Sequence, residues 1–137
     1  MDIGANVGKT KSSGYQVGVR RTFSVDVKEA WNVLLSPQGI EIWLGELPPF
    51  HLGVGVHYTT KCGITGEIRV LNELENVRLT WKKEEWNKAS TLQIRTIGQK
   101  NDKCTISFHQ ENLQSSGDRE EMKTKWEEVL EKLKSIL

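Results

Sequence analysis

Proton transfer and nucleophilic attack near neutral pH need a histidine, thiol or carboxylate within hydrogen-bond reach of a second such group. The 137-residue chain offers three histidines, His51, His57 and His109, and two cysteines, Cys62 and Cys104. His57 and His109 fall in the phase opposite to the apolar residues around them, which turns both to solvent in an alternating strand. No histidine has a second ligand one helical turn away and the cysteines form no Cys-x-x-Cys pair, so no metal site is expected. The paired carboxylates Glu84-Glu85 and Glu120-Glu121 are sequence neighbours, which do not face each other on a helix, and they read as surface charge. Gly4-Ala5-Asn6-Val7-Gly8-Lys9-Thr10 approximates a phosphate-binding loop, but three residues rather than four separate its glycines. Lys11-Ser12-Ser13-Gly14 then fails to start the helix that would aim N–H groups at a phosphate. No catalytic constellation and no cofactor site is legible, and the balance leans away from an enzyme.

The aromatic residues point to a different chemistry. Five tryptophans stand well above the ~1% usual in proteins. Trp31, Trp43, Trp81 and Trp126 each fall on the apolar side of their segment, so they either fill a core or wall a pocket. In the pocket reading Trp43, Phe50, Tyr58, Trp81, Phe108, Met122 and Trp126 form the walls. Arg21, out of place in an apolar phase, and the Tyr58 hydroxyl supply polar recognition, with a carboxylate as the natural target. Trp86 follows a run of charged residues and reads as a lid, a partner contact or an exposed side chain.

The elements that must hold these residues follow from periodicity. Tyr15, Val17, Val19, Phe23 and Val25 alternate as a half-buried strand, after a Gly-, Lys- and Ser-rich tail over residues 1–14. Asp26 with Glu29 caps a helix carrying Val27, Ala30, Trp31 and Leu34, and Ser36-Pro37 starts a second that ends at Gly45. Five strand signals succeed it: Val54/Val56/Tyr58, Ile64/Ile68/Val70, Val77/Leu79/Trp81, Leu92/Ile94 and Cys104/Ile106/Phe108. Gly63, Asn76, Asn87 and Asn101-Asp102 punctuate them as turn residues. Asp118 with Glu121 signals the start of a last helix, whose apolar stripe runs Met122, Trp126, Val129, Leu130, Leu133, Leu137. Glu121–Lys125 and Glu128–Lys132 are spaced to pair on its outer face. Five strands without an intervening helix argue for an antiparallel meander, hence an α+β domain over residues 15–137. A straight helix across a curved sheet of about six strands leaves a concavity that large side chains must line.

This order of elements, together with Arg21-Thr22-Phe23, Glu29-Ala30-Trp31, Ile42-Trp43-Leu44-Gly45, Thr65-Gly66-Glu67-Ile68 and Leu79-Thr80-Trp81, resembles the START-like superfamily. Within it the chain is most similar to the family named after the activator of the heat-shock-protein-90 ATPase. The resemblance implies a helix-grip fold. For function it implies a cavity for a small apolar or amphipathic molecule, with two alternatives: a protein-interaction module serving a chaperone, or a cyclase- or hydrolase-like enzyme in the same cavity.

Bulk properties fit these readings. A net charge of +1 calls for neither nucleic acid nor an anionic membrane as partner. No apolar run approaches the roughly 18 residues of a membrane span, and Met1–Gly14 lacks the apolar core of a signal peptide. Two cysteines are too few for a disulfide framework, so free thiols in the cytoplasm are expected. The last helix spends its apolar face on its own sheet, which makes a monomer the default.

Overall fold

A computed structural model describes residues 9–10, 14–49 and 51–137. Strand β1 (Lys9–Thr10) precedes β2 (Gly14–Phe23), followed by helices α1 (Val27–Leu34) and α2 (Pro37–Trp43). Strands β3 (His57–Thr59), β4 (Thr65–Asn72), β5 (Asn76–Trp81), β6 (Ser90–Gln99) and β7 (Lys103–Leu113) come next, and α3 (Ser116–Lys134) closes the chain. The sheet order is β1-β2-β7-β6-β5-β4-β3, antiparallel throughout, so the first long strand returns beside the last. The result is the α+β helix grip: one curved sheet with α3 laid across it, against β2, β7 and α2. The short β1 pairs with Gly14 and Tyr15, inside the stretch read as a tail; residues 1–8 and 11–13 lie outside the described residues.

Local chemistry explains the helices. The Asp26 carboxylate accepts from the Glu29 N–H at 2.8 Å, and the Ser36 hydroxyl accepts from the Gly39 N–H at 3.0 Å, with Pro37 opening α2. The two helices meet so closely at Gly39 that a Cβ there would lie 2.0 Å from the Val33 carbonyl oxygen. For α3 the cap is Ser115, three residues earlier in its role than expected: its hydroxyl accepts from the Asp118 N–H at 3.0 Å. Asp118 instead sits in the first turn, where its charge favours the positive end of the helix.

Two strand readings shift. β3 is shorter than the Val54/Val56/Tyr58 alternation predicts, because Gly53 and Gly55 bracket Val54 in a turn closed by the Val56 N–H on the Gly53 carbonyl at 3.1 Å. Val54 is left 65% exposed there. Asn76 belongs to β5, opposite Asn72, and Leu74 takes the left-handed turn position at φ 65°. Asn101 and Asp102 do turn the chain, at φ 63° and 54°, between β6 and β7.

The concave side of the sheet is filled. Phe108 stacks on Trp126 with ring centroids 5.1 Å apart, and Trp81 meets Trp126 edge-on at 6.0 Å. Beneath α3 lies a buried polar chain that the sequence patterning passes over, since Gln110 stands in the apolar phase of β7. The Trp126 indole donates to the Gln110 side-chain oxygen at 2.8 Å, the Gln110 amide donates to Ser90, and Ser90 donates to the Trp81 carbonyl. Each of these three bonds pairs a buried donor with a buried acceptor, so the network fixes the rotation of α3 on the sheet at little net cost.

Candidate functional site

An open cleft of about 500 Å³ lies alongside the first half of α3. Glu41, Ile42, Leu44 and Gly45 from α2 and its end form one side, and Cys62 and Ile64 from the β3–β4 loop another. Trp81 of β5, the loop residues Lys83, Glu84 and Glu85, and Glu121 and Lys125 of α3 complete it. The apolar part of the wall is therefore Ile42, Leu44, Ile64 and the Trp81 ring; the rim is charged.

Small residues and hydroxyls shape these walls. Gly45, at φ 125°, turns the chain out of α2 against the Thr60 side chain. The Thr60 hydroxyl accepts from the Ile64 N–H at 3.0 Å and contacts the Cys62 sulfur at 3.3 Å, so one buried threonine sets the whole β3–β4 loop. Gly63, at φ 94°, completes that turn. Outside the cleft, a Cβ at Gly66 would sit 1.9 Å from the Thr80 carbonyl oxygen and 2.5 Å from the Tyr58 hydroxyl, so only glycine admits the Tyr58 hydroxyl there.

The expected wall residues fall into two groups. Trp43, Tyr58, Trp81, Phe108, Met122 and Trp126 are all buried together in the core, and of these Trp81 also faces the cleft. Trp43 is tied down by its indole N–H on the Leu34 carbonyl at 2.9 Å. Phe50 lies outside the described residues. Arg21 is elsewhere: it is half-exposed and ion-paired with Glu131 near the end of α3, which holds the Glu131 carboxyl below its usual range. The Tyr58 hydroxyl donates to the Thr80 carbonyl at 2.6 Å, and burial pushes its ionisation far upward, so it stays a neutral structural group.

Charge around the cleft is wired differently from the helix pattern. Glu121 pairs across the cleft mouth with Lys83 of the β5–β6 loop rather than with Lys125 one turn along its own helix. Among the described residues no carboxylate lies within ion-pair distance of Lys125. Its ammonium stands 5.5 Å above the Trp126 ring. Burial holds it below the usual lysine range, Lys132 and Lys83 adding to that effect while Cys62 and Glu128 oppose it. Trp86 is half-buried, edge-on to Trp81 at 5.4 Å and 5.8 Å from the Lys83 ammonium. The Trp81 indole N–H is buried and has no acceptor among the described residues. Both cysteines are free; burial raises the Cys104 thiol above its usual range and the site lies away from it. The described residues hold no group of three or more metal-binding side chains. Nor do they include a helix long and apolar enough to cross a membrane.

The sequence pattern of the family described as activator of Hsp90 ATPase homolog 1-like protein matches residues 24–137. The chain belongs to that family. Its fold is shared by several solved structures of low sequence identity. CalU16 from Micromonospora echinospora superposes with a TM-score of 0.75 at 19% identity, over 88% of this chain and 73% of that one. Protein MLL2253 from Mesorhizobium loti gives 0.76 at 19% identity, over 88% and 94%. A Plasmodium falciparum protein described as an HSP90 activator gives 0.61 at 20% identity, over 72% and 73%. None of the curated proteins matches the chain. At these identities the neighbours speak for the fold alone.

Proposed function

We propose that this family member binds a small amphipathic molecule, in the cleft beside the first half of α3 rather than in the filled space between sheet and helix. The observation that carries this reading is the cleft itself: about 500 Å³ of open volume with an apolar wall of Ile42, Leu44, Ile64 and Trp81 under a charged rim. Binding sites for small ligands have that composition, apolar surface with a few placed polar groups. The domain acts in this reading as a cytoplasmic monomer over residues 15–137, with no cofactor. The direct test is a binding screen by tryptophan fluorescence against fatty acids, sterols and aromatic acids. Saturable binding that Ile42→Asp abolishes, with the fold retained by circular dichroism, supports the cleft; binding indifferent to Ile42→Asp contradicts it.

A second reading draws on the family description, that of activators of the Hsp90 ATPase. A protein-interaction module would use exposed surface, so Trp86→Ser and changes to the loop around it would disturb chaperone capture while Ile42→Asp would not. Capture from a lysate by immobilised domain, compared across those two variants, separates the readings.

A further inference from the structure

Resting on the cleft-binding reading, the charge wiring around α3 narrows the ligand. Glu121 and Lys125 are spaced to neutralise each other, yet Lys83 reaches across from the β5–β6 loop and takes Glu121. Lys125 is left facing the cleft with an aromatic ring behind it and, among the described residues, no carboxylate within ion-pair distance. A half-buried ammonium in that position has lost part of its hydration without gaining a counter-ion, and an incoming anion restores the balance. The adjoining wall is the Trp81 ring, an apolar surface against which a ligand's body can lie. The two anchors expected for a carboxylate are engaged elsewhere, Arg21 with Glu131 and the Tyr58 hydroxyl with the Thr80 carbonyl. The rim weighs against charge in proportion to its amount: Glu41, Glu84 and Glu85 are exposed carboxylates, which repel a dianion about twice as strongly as a monoanion.

We propose that the cleft takes a small apolar monocarboxylate, its carboxylate against Lys125 and its apolar body on Ile42, Ile64 and the Trp81 ring. The carboxylate is selected by the free ammonium, and phosphate-like dianions are disfavoured by the acidic rim.

The test is isothermal titration calorimetry with octanoate and octan-1-ol, which share a chain and differ in the head group. Octanoate should bind at least about tenfold more tightly, the range of a hydrogen bond to a charged group. Lys125→Met should reduce octanoate to the level of octan-1-ol, and Lys125→Arg should keep the preference. Because the Lys125 ammonium makes no hydrogen bond or ion pair among the described residues, both variants should melt close to the wild type, which separates lost binding from lost folding. Equal affinities in the wild type, or a preference that survives Lys125→Met, would overturn the head-group assignment while octan-1-ol binding sensitive to Ile42→Asp upholds the cleft. If neither compound binds, the cleft reading and the assignment fall together.

Discussion

Trp126 and Lys125 are adjacent on α3 and lie in opposite surroundings. Trp126 is fully buried, stacked on Phe108, edge-on to Trp81 and hydrogen-bonded to Gln110. Lys125 faces an open cleft with no ion-pair partner among the described residues. One side of the helix is the grip that holds the fold; the other borders the space where something else can enter. The difference shows how the grip and the cleft divide the large aromatics: Trp43, Phe108 and Trp126 are spent on the packed interior, and Trp81 alone of the buried tryptophans reaches from it to the cleft wall. Preorganised sites are built in this way, on packed elements rather than on loops alone.

The contrast can be broken most severely from the filled side. Trp126→Ala removes a buried indole and strands Gln110, and should cost about 3–5 kcal/mol in urea unfolding. A loss below about 1 kcal/mol would mean that this part of the grip is loosely packed after all. Gln110→Leu is gentler because the apolar volume is kept, but the Trp126 N–H loses its acceptor. A loss of about 1–3 kcal/mol is expected, measured the same way. Restoration by Gln110→Glu would be surprising, since a carboxylate buried at that depth needs a charged partner.

From the open side the expected effect on stability is smallest and the effect on binding is specific. Lys83→Ala removes a surface ion pair with Glu121, worth at most about 1 kcal/mol. It also releases Glu121 to turn to Lys125, so octanoate should bind several-fold more weakly while octan-1-ol is unaffected. Calorimetry on the two ligands reads this directly; equal weakening of both would show that Lys83 shapes the cleft instead of wiring its charge.

Much of the scaffold is legible in the sequence because it rests on local rules. The caps at Asp26 and Ser36, the alternation in β5 and the stripe Met122–Trp126–Val129–Leu130–Leu133 all depend on neighbours within a few residues. Val54 and Asn76 depart from the pattern because two glycines convert an apparent strand into a turn, and because Leu74 occupies a left-handed position that composition assigns to Asn or Gly. The cleft is written in long-range contacts. Thr60 looks like any strand threonine until its hydroxyl is seen holding the β3–β4 loop, and Gln110 looks like a polar interruption of β7 until Trp126 and Ser90 meet it. The partner of Glu121 is Lys83, 38 residues away, where helix spacing points to Lys125. A pattern that reads one helix at a time sees a paired lysine where the fold leaves an unpaired one.

Two-dimensional NMR of the five tryptophan indole N–H signals during titration with octanoate distinguishes binding at the cleft from binding inside the grip. Saturable shifts are expected at Trp81, which lines the cleft, and at Trp86, edge-on to Trp81, and none at Trp43, whose N–H is held by the Leu34 carbonyl. Shifts led by Trp43, with Trp81 and Trp86 unmoved, would place the ligand within the core and contradict binding at the cleft.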